Sequence, residues 1–267
     1  LMETLYVPLF LAGVGIILRG AAYALRGEAA SIHEARLLGA VFALSSVLTP
    51  FFLGCAIGAV ASGQVPADGD PSRPFGVWTN TTSIWIGVMG VVTSAYVAAV
   101  FLSGDAVRVG DKELAEQFRM RALIAAVVAG AMAIGGLFVI RGDARALYDG
   151  LTSGWGLVMV IASVVVGVLT LVLIWTRRFE PARYTSGVAV GTVLTGWALA
   201  QRPDFLPGEL AFRDAAASNV TLAATLIALA LALMIIIPSF YWLFKLTLEG
   251  RLTEKFGPIR GTEEHVK

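Results

Sequence analysis

The chain is short of charge, of cysteine and of histidine, and each shortage excludes something. Only 15% of its 267 residues are Asp, Glu, Lys or Arg, where a soluble domain carries about a quarter. The apolar share is 57% before glycine is counted, and the mean hydropathy is +0.78. No soluble core of this size needs so much, so the composition is that of an integral membrane protein. The single cysteine, Cys55, stands in an apolar run. Disulfide frameworks, zinc clusters and thiolate-bound iron–sulfur centres are thereby ruled out, because each needs two or more thiols. Twenty Lys and Arg against 19 Asp and Glu leave a net charge of +1, which gives no basic excess for nucleic acid and no polyanionic tail.

A bilayer core takes about 20 mostly apolar helical residues, since backbone groups there have no water to bond. Seven segments qualify: Leu5–Leu25, Ala35–Ala61, Thr79–Leu102, Phe118–Ile140, Trp155–Trp175, Tyr184–Ala200 and Val220–Phe244. The sixth is short and rich in Thr and Gly. The spacing therefore predicts an all-α, polytopic transmembrane bundle in which residues 1–267 form one domain. Gly63–Trp78 and Gln201–Asp214 read as turn-rich surface loops, and Ser103–Gln117 as a charged link whose last residues, Asp111–Gln117, extend the fourth span as helix. No internal repeat of the kind that marks many transporters is present.

Lys and Arg divide 15 to 5 between alternate sides of these spans. The positive-inside rule then places the C-terminus in the cytoplasm and the residues before Leu5 outside. An outside start only a few residues long, opening on Leu1 with no signal peptide, sits awkwardly with that orientation. One further span upstream would remove the conflict, so the sequence is expected to be an N-terminal truncation. The alternative is that Met2 is a true start and the short end crosses unaided.

Both histidines fall outside the spans, His33 in a cytoplasmic loop and His265 in the tail. Haem proteins built on helix bundles fix iron with an imidazole inside the membrane, so this chain is expected to bind no haem or other metal. Met89, Met132, Met159 and Met234 read as core filling. No ionisable residue stands at mid-depth, where proton and ion pathways usually show themselves. Arg19, near the end of the first span, reads as a snorkelling anchor or a contact to anionic lipid or a partner's carboxylate. Pro50 removes a backbone donor from the second span, and the hydroxyls of Ser45, Ser46 and Thr49 are placed to re-satisfy the freed carbonyls. Gly54 and Gly58, four apart, would let another helix approach closely, whereas Gly87 looks unremarkable. Asn80, followed by Thr81, Thr82 and Ser83, reads as a helix cap.

The stretches LFLAGVGIILRGAAYALRG (Leu9–Gly27), TPFFLGCAIGAVASG (Thr49–Gly63), WTNTTSIWIGVMGVVTSAYVAAVFL (Trp78–Leu102), EQFRMRA (Glu116–Ala122), RPDFLPGEL (Arg202–Leu210), SNVTL (Ser218–Leu222) and PSFYWLFKLTLEGRL (Pro238–Leu252) occur in this order. Together they make the chain resemble subunit II of the bacterial cytochrome bd quinol oxidases, with an actinobacterial character. Departures are Ala59, where many relatives have Asn, and Thr81, where many have Pro. The resemblance implies one more N-terminal helix, with the family's acidic residues linked to proton delivery mainly in that region. It implies a haem-free subunit packed against a subunit I that carries haems b and d and oxidises quinol, reducing oxygen to water. It also allows a small single-span subunit and bilayer lipid as further neighbours, in the bacterial inner membrane. In this reading Arg19, Pro50, Gly54, Gly58 and Asn80 serve packing or contacts to partner and lipid, and no residue of the chain is catalytic. Two alternatives stand beside it: a small secondary transporter or exporter, and a structural membrane scaffold.

Overall fold

The computed structural model describes residues 2–29, 31–66, 75–208 and 210–248. His265, most of the basic tail and the Asp68–Pro74 part of the first turn-rich loop lie outside the described residues. Nine helices and one small hairpin are formed among those described: α1 Met2–Arg26, α2 Ile32–Ala61, α3 Thr81–Arg108, α4 Lys112–Asp143, α5 Arg145–Leu151, α6 Gly154–Trp175, α7 Phe179–Ala200, β1 Asp204–Leu206, β2 Leu210–Ala211, α8 Phe212–Ala215 and α9 Asn219–Leu248.

The seven predicted segments fall on the seven long helices. Six of these are long and apolar enough to cross a membrane. The exception is α7, which at 22 residues is about 33 Å long but carries Glu180, Arg183 and four Ser and Thr residues. Its hydroxyls are satisfied within the helix, Ser186 donating to Arg183 O at 2.8 Å, Thr192 to Ala189 O at 2.7 Å and Thr195 to Gly191 O at 2.8 Å. A helix can carry such residues in a bilayer when their hydrogens are bonded locally.

Local chemistry sets the helix starts. Ser31 accepts from Glu34 N at 3.2 Å, Asn80 from Ser83 N at 2.8 Å and Asp111 from Leu114 N at 2.9 Å, each binding a backbone donor of the first turn. The link expected over Ser103–Gln117 is almost wholly helical, since α3 runs to Arg108 and α4 opens at Lys112. His33 lies in the first turn of α2, exposed, and not in a loop. The second turn-rich loop contains the β1–β2 hairpin, paired antiparallel with Asp204 opposite Ala211. Around Pro50 the hydroxyls act differently from expectation: Ser45 and Ser46 donate to Phe42 O and Thr49 to Ser45 O. None donates to Ser46 O, the carbonyl that the proline leaves free.

Helices α1 to α4 pack in chain order, each on the next, while α6 pairs with α7. Contacts of α3 with α7 and of α4 with α6 close a four-helix group, and α5 sits at its end against α6 and α7. The interior is built from small residues such as Ala59, Ala99, Ala122, Ala182, Ser45, Ser103 and Thr170, whereas Phe10, Ile124, Phe138, Val165 and Ile235 face outward. This distribution suits lipid, where apolar side chains gain nothing by turning inward and close backbone packing holds helices together. Along α9 no described side chain is buried.

Candidate functional site

The polar groups of the chain gather at the two ends of the bundle, with a tight glycine seam between them. Gly54 and Gly58 of α2 face α3. A Cβ on Gly54 would stand 2.7 Å from Ile86 O and 2.8 Å from Gly87 Cα, and one on Gly58 would stand 2.5 Å from Ser83 Cα. Gly87 belongs to the same seam, because its Cβ would meet Cys55 Sγ at 2.6 Å and Phe51 O at 2.9 Å. The sequence reading of Gly87 as unremarkable is therefore corrected. A turn further on, Gly90 lies against Pro50 O, 2.7 Å from where its Cβ would be.

At the end carrying the hairpin, Asn80 does more than cap α3. Its amide donates to Val77 O at 2.8 Å and to Ser62 Oγ, at the end of α2, at 3.1 Å. Beside it, Asp143 at the last position of α4 accepts from Thr82 N at 3.1 Å and from Thr82 Oγ1 at 2.6 Å. A carboxylate thus binds an orphan donor in the first turn of α3, where the helix dipole favours negative charge.

The opposite end is rich in arginine. Arg183 of α7 is nine-tenths buried; it bonds Asp105, donates to Phe101 O at 2.8 Å and stacks over the Phe101 ring at 5.4 Å. Gly104 makes room for it, since a Cβ there would lie 2.7 Å from its Nε. Arg119, also largely buried, pairs with Glu116 and donates to Ile174 O and Trp175 O, both at 3.1 Å. It thereby adds side-chain donors to the last carbonyls of α6. Arg108 holds Glu180 at 2.6 Å and Arg177 holds Glu116 at 3.2 Å. Arg19 stands apart and exposed on α1, 5.1 Å over the ring of Phe42.

Of the residues singled out in the sequence, the structure brings Pro50, Gly54 and Gly58 together on the α2–α3 seam and puts Asn80 at its end. The Arg183–Asp105, Arg119–α6 and Asp143–Thr82 contacts were not foreseen. Arg183 falls just before the sixth predicted segment, which opens at Tyr184, whereas α7 opens at Phe179. Glu116 and Arg119 did fall within a quoted stretch, the one clue the sequence offered. Among the described residues no group of three His, Cys, Asp or Glu could hold a metal ion.

This architecture defines a multi-pass α-helical membrane subunit whose polar groups lock helix ends. The family profile described as cytochrome bd terminal oxidase subunit II matches residues 1–247. The chain belongs to that family and is a subunit of a respiratory oxidoreductase. Its fold is also similar to a solved structure titled bd oxidase from Geobacillus thermodenitrificans, with a TM-score of 0.68 and 22% identity over 91% of this chain and 73% of that one. No curated protein matches the chain.

Proposed function

We propose that this chain is the haem-free subunit of a quinol-oxidising complex that reduces oxygen to water, packed against a haem-bearing subunit I. Residues 1–267 would serve as one transmembrane domain. The family match over residues 1–247 carries the reading. The side chains of this chain fit the division of labour. An axial haem ligand in a bundle is an imidazole, thiolate or thioether facing the interior, and His33 is exposed at the bundle end. Buried Cys55 is packed into the α2–α3 seam against Gly87, with no space beside it for a macrocycle. Haems b and d and the quinol site are accordingly assigned to the partner, and a small single-span subunit and lipid are compatible further neighbours. The transporter alternative is not favoured by the family to which the chain belongs.

The arginine-rich end, with the C-terminus, is assigned to the cytoplasm of a bacterial cell on the strength of the 15-to-5 division of Lys and Arg. The central experiment is co-expression with subunit I. The pair should co-purify as a haem-containing, quinol-dependent oxygen consumer, and the double change His33→Ala with His265→Ala should leave the haem spectrum intact. Haem absorbance in this chain purified alone would refute the proposal.

A further inference from the structure

Where α3 ends and α6 hands over to α7, the surface carries an open cavity of about 300 Å³ lined by Val107, Arg108, Arg177, Arg178, Phe179 and Glu180. That is the lower end of the range of small-molecule sites. Five arginines (108, 119, 177, 178 and 183) meet three carboxylates here, and each carboxylate is already engaged: Asp105 by Arg183 and Arg108, Glu116 by Arg119 and Arg177, Glu180 by Arg108. Two positive charges are left over. Arg178 has no ion-pair partner among the described residues.

The backbone adds to this excess. No side chain caps the N-terminus of α7, which opens at the cavity through Phe179 and Glu180; the Glu180 carboxylate in this first turn is neutralised by Arg108, and such a helix end favours an anion. Helix α6 ends in a Schellman motif, with Arg178 N bonding Leu173 O at 2.8 Å and Arg177 N bonding Ile174 O at 3.1 Å. The left-handed position of that motif is occupied by Arg177 at φ +60, where glycine is the usual residue.

The surroundings say where the anion comes from. The cavity lies at the end of membrane-crossing helices, beside Trp175, 66% exposed, whose amphipathic ring suits the headgroup level. Further along the same helix Val172, Leu169 and Val165 of α6 are exposed and form an apolar wall. A soluble anion has no use for such a wall, whereas acyl chains do. We propose that this cavity binds the phosphate group of an anionic phospholipid, with Arg177, Arg178 and the N-terminus of α7 as its ligands. Basic pockets between transmembrane helices recognise lipid headgroups by this chemistry. The proposal rests on the membrane placement of the chain and is independent of which subunit carries haem.

The test uses the purified complex with its partner subunit, equilibrated in detergent with phosphatidylglycerol or phosphatidylcholine, with bound lipid counted by native mass spectrometry. Arg177→Gly suits the left-handed backbone and preserves the helix end. Combined with Arg178→Gln it should weaken phosphatidylglycerol binding about thirtyfold, and Arg178→Gln alone about fivefold. Phosphatidylcholine binding and haem content should not change, nor should Arg213→Gln at the opposite end have an effect. Excess inorganic phosphate should fail to displace the lipid. Undiminished phosphatidylglycerol binding by Arg178→Gln and by the double variant would overturn the proposal. So would displacement by inorganic phosphate, which would make this a site for a soluble anion.

Discussion

Gly54→Ala adds one methyl group at the tightest part of the α2–α3 seam. The new Cβ would sit 2.8 Å from Gly87 Cα and 2.7 Å from Ile86 O. Both are backbone atoms, so no rotamer change relieves the clash. Carbon atoms pack at about 3.5–4.0 Å, so the helices must separate locally by about 0.7–1.2 Å. A gap of that order forfeits a quarter to a half of each dispersion well it opens, and overpacking of this kind costs about 1–3 kcal/mol. Helix propensity acts the other way, Ala being better than Gly by up to about 1 kcal/mol in a helix interior. Taking about 2 kcal/mol for the overpacking and about 1 kcal/mol for the propensity, the net loss is about 1 kcal/mol, or about 2–4 °C in unfolding temperature. Gly130→Ala on the exposed face of α4, with nothing within 4 Å of its Cβ, keeps only the propensity gain and should raise that temperature slightly. The two variants thus differ in sign. Thermal unfolding in detergent that found Gly54→Ala as stable as the unmodified protein would show that this seam is not close-packed in the membrane.

Four further outcomes are expected. Gly87→Ala should destabilise, and Cys55→Ala on that background should recover part of the loss by removing the Sγ that the methyl meets; recovery of nothing would place the strain elsewhere. Asp143→Ala should lower stability by about 1–2 kcal/mol by stripping the bonds to Thr82, with Asp143→Asn losing less because an acceptor remains; chemical denaturation ranks the three. Arg119→Lys should not substitute for arginine, since an ammonium cannot span the Ile174 and Trp175 carbonyls as the guanidinium fork does, and a loss of about 2 kcal/mol is expected in the same assay. In a Cys55→Ala background, Asp214→Cys should react with a membrane-impermeant thiol reagent in intact cells and Val109→Cys should not; the reverse pattern would invert the orientation.

What the sequence settled by itself is what depends on neighbours along the chain. Long apolar runs required membrane helices because backbone groups in lipid must bond locally, and this placed all seven long helices without any knowledge of their partners. Asn80 marked the start of α3 for the same reason, a cap being an interaction across three residues. The sixth run showed the limit: Glu180, Pro181 and Arg183 looked like loop, yet α7 starts at Phe179, and α6 and α7 are joined by only three residues. Tertiary structure alone decided which side chains meet. Asp105 and Arg183 are 78 positions apart, and Thr82 and Asp143 are 61. Their pairing depends on how far each helix is rotated and how deep it sits. A helix that is apolar on every side carries no periodic stripe to announce its inward face, so nothing in the sequence distinguished Gly87, pressed against Cys55, from Gly130, which faces open space.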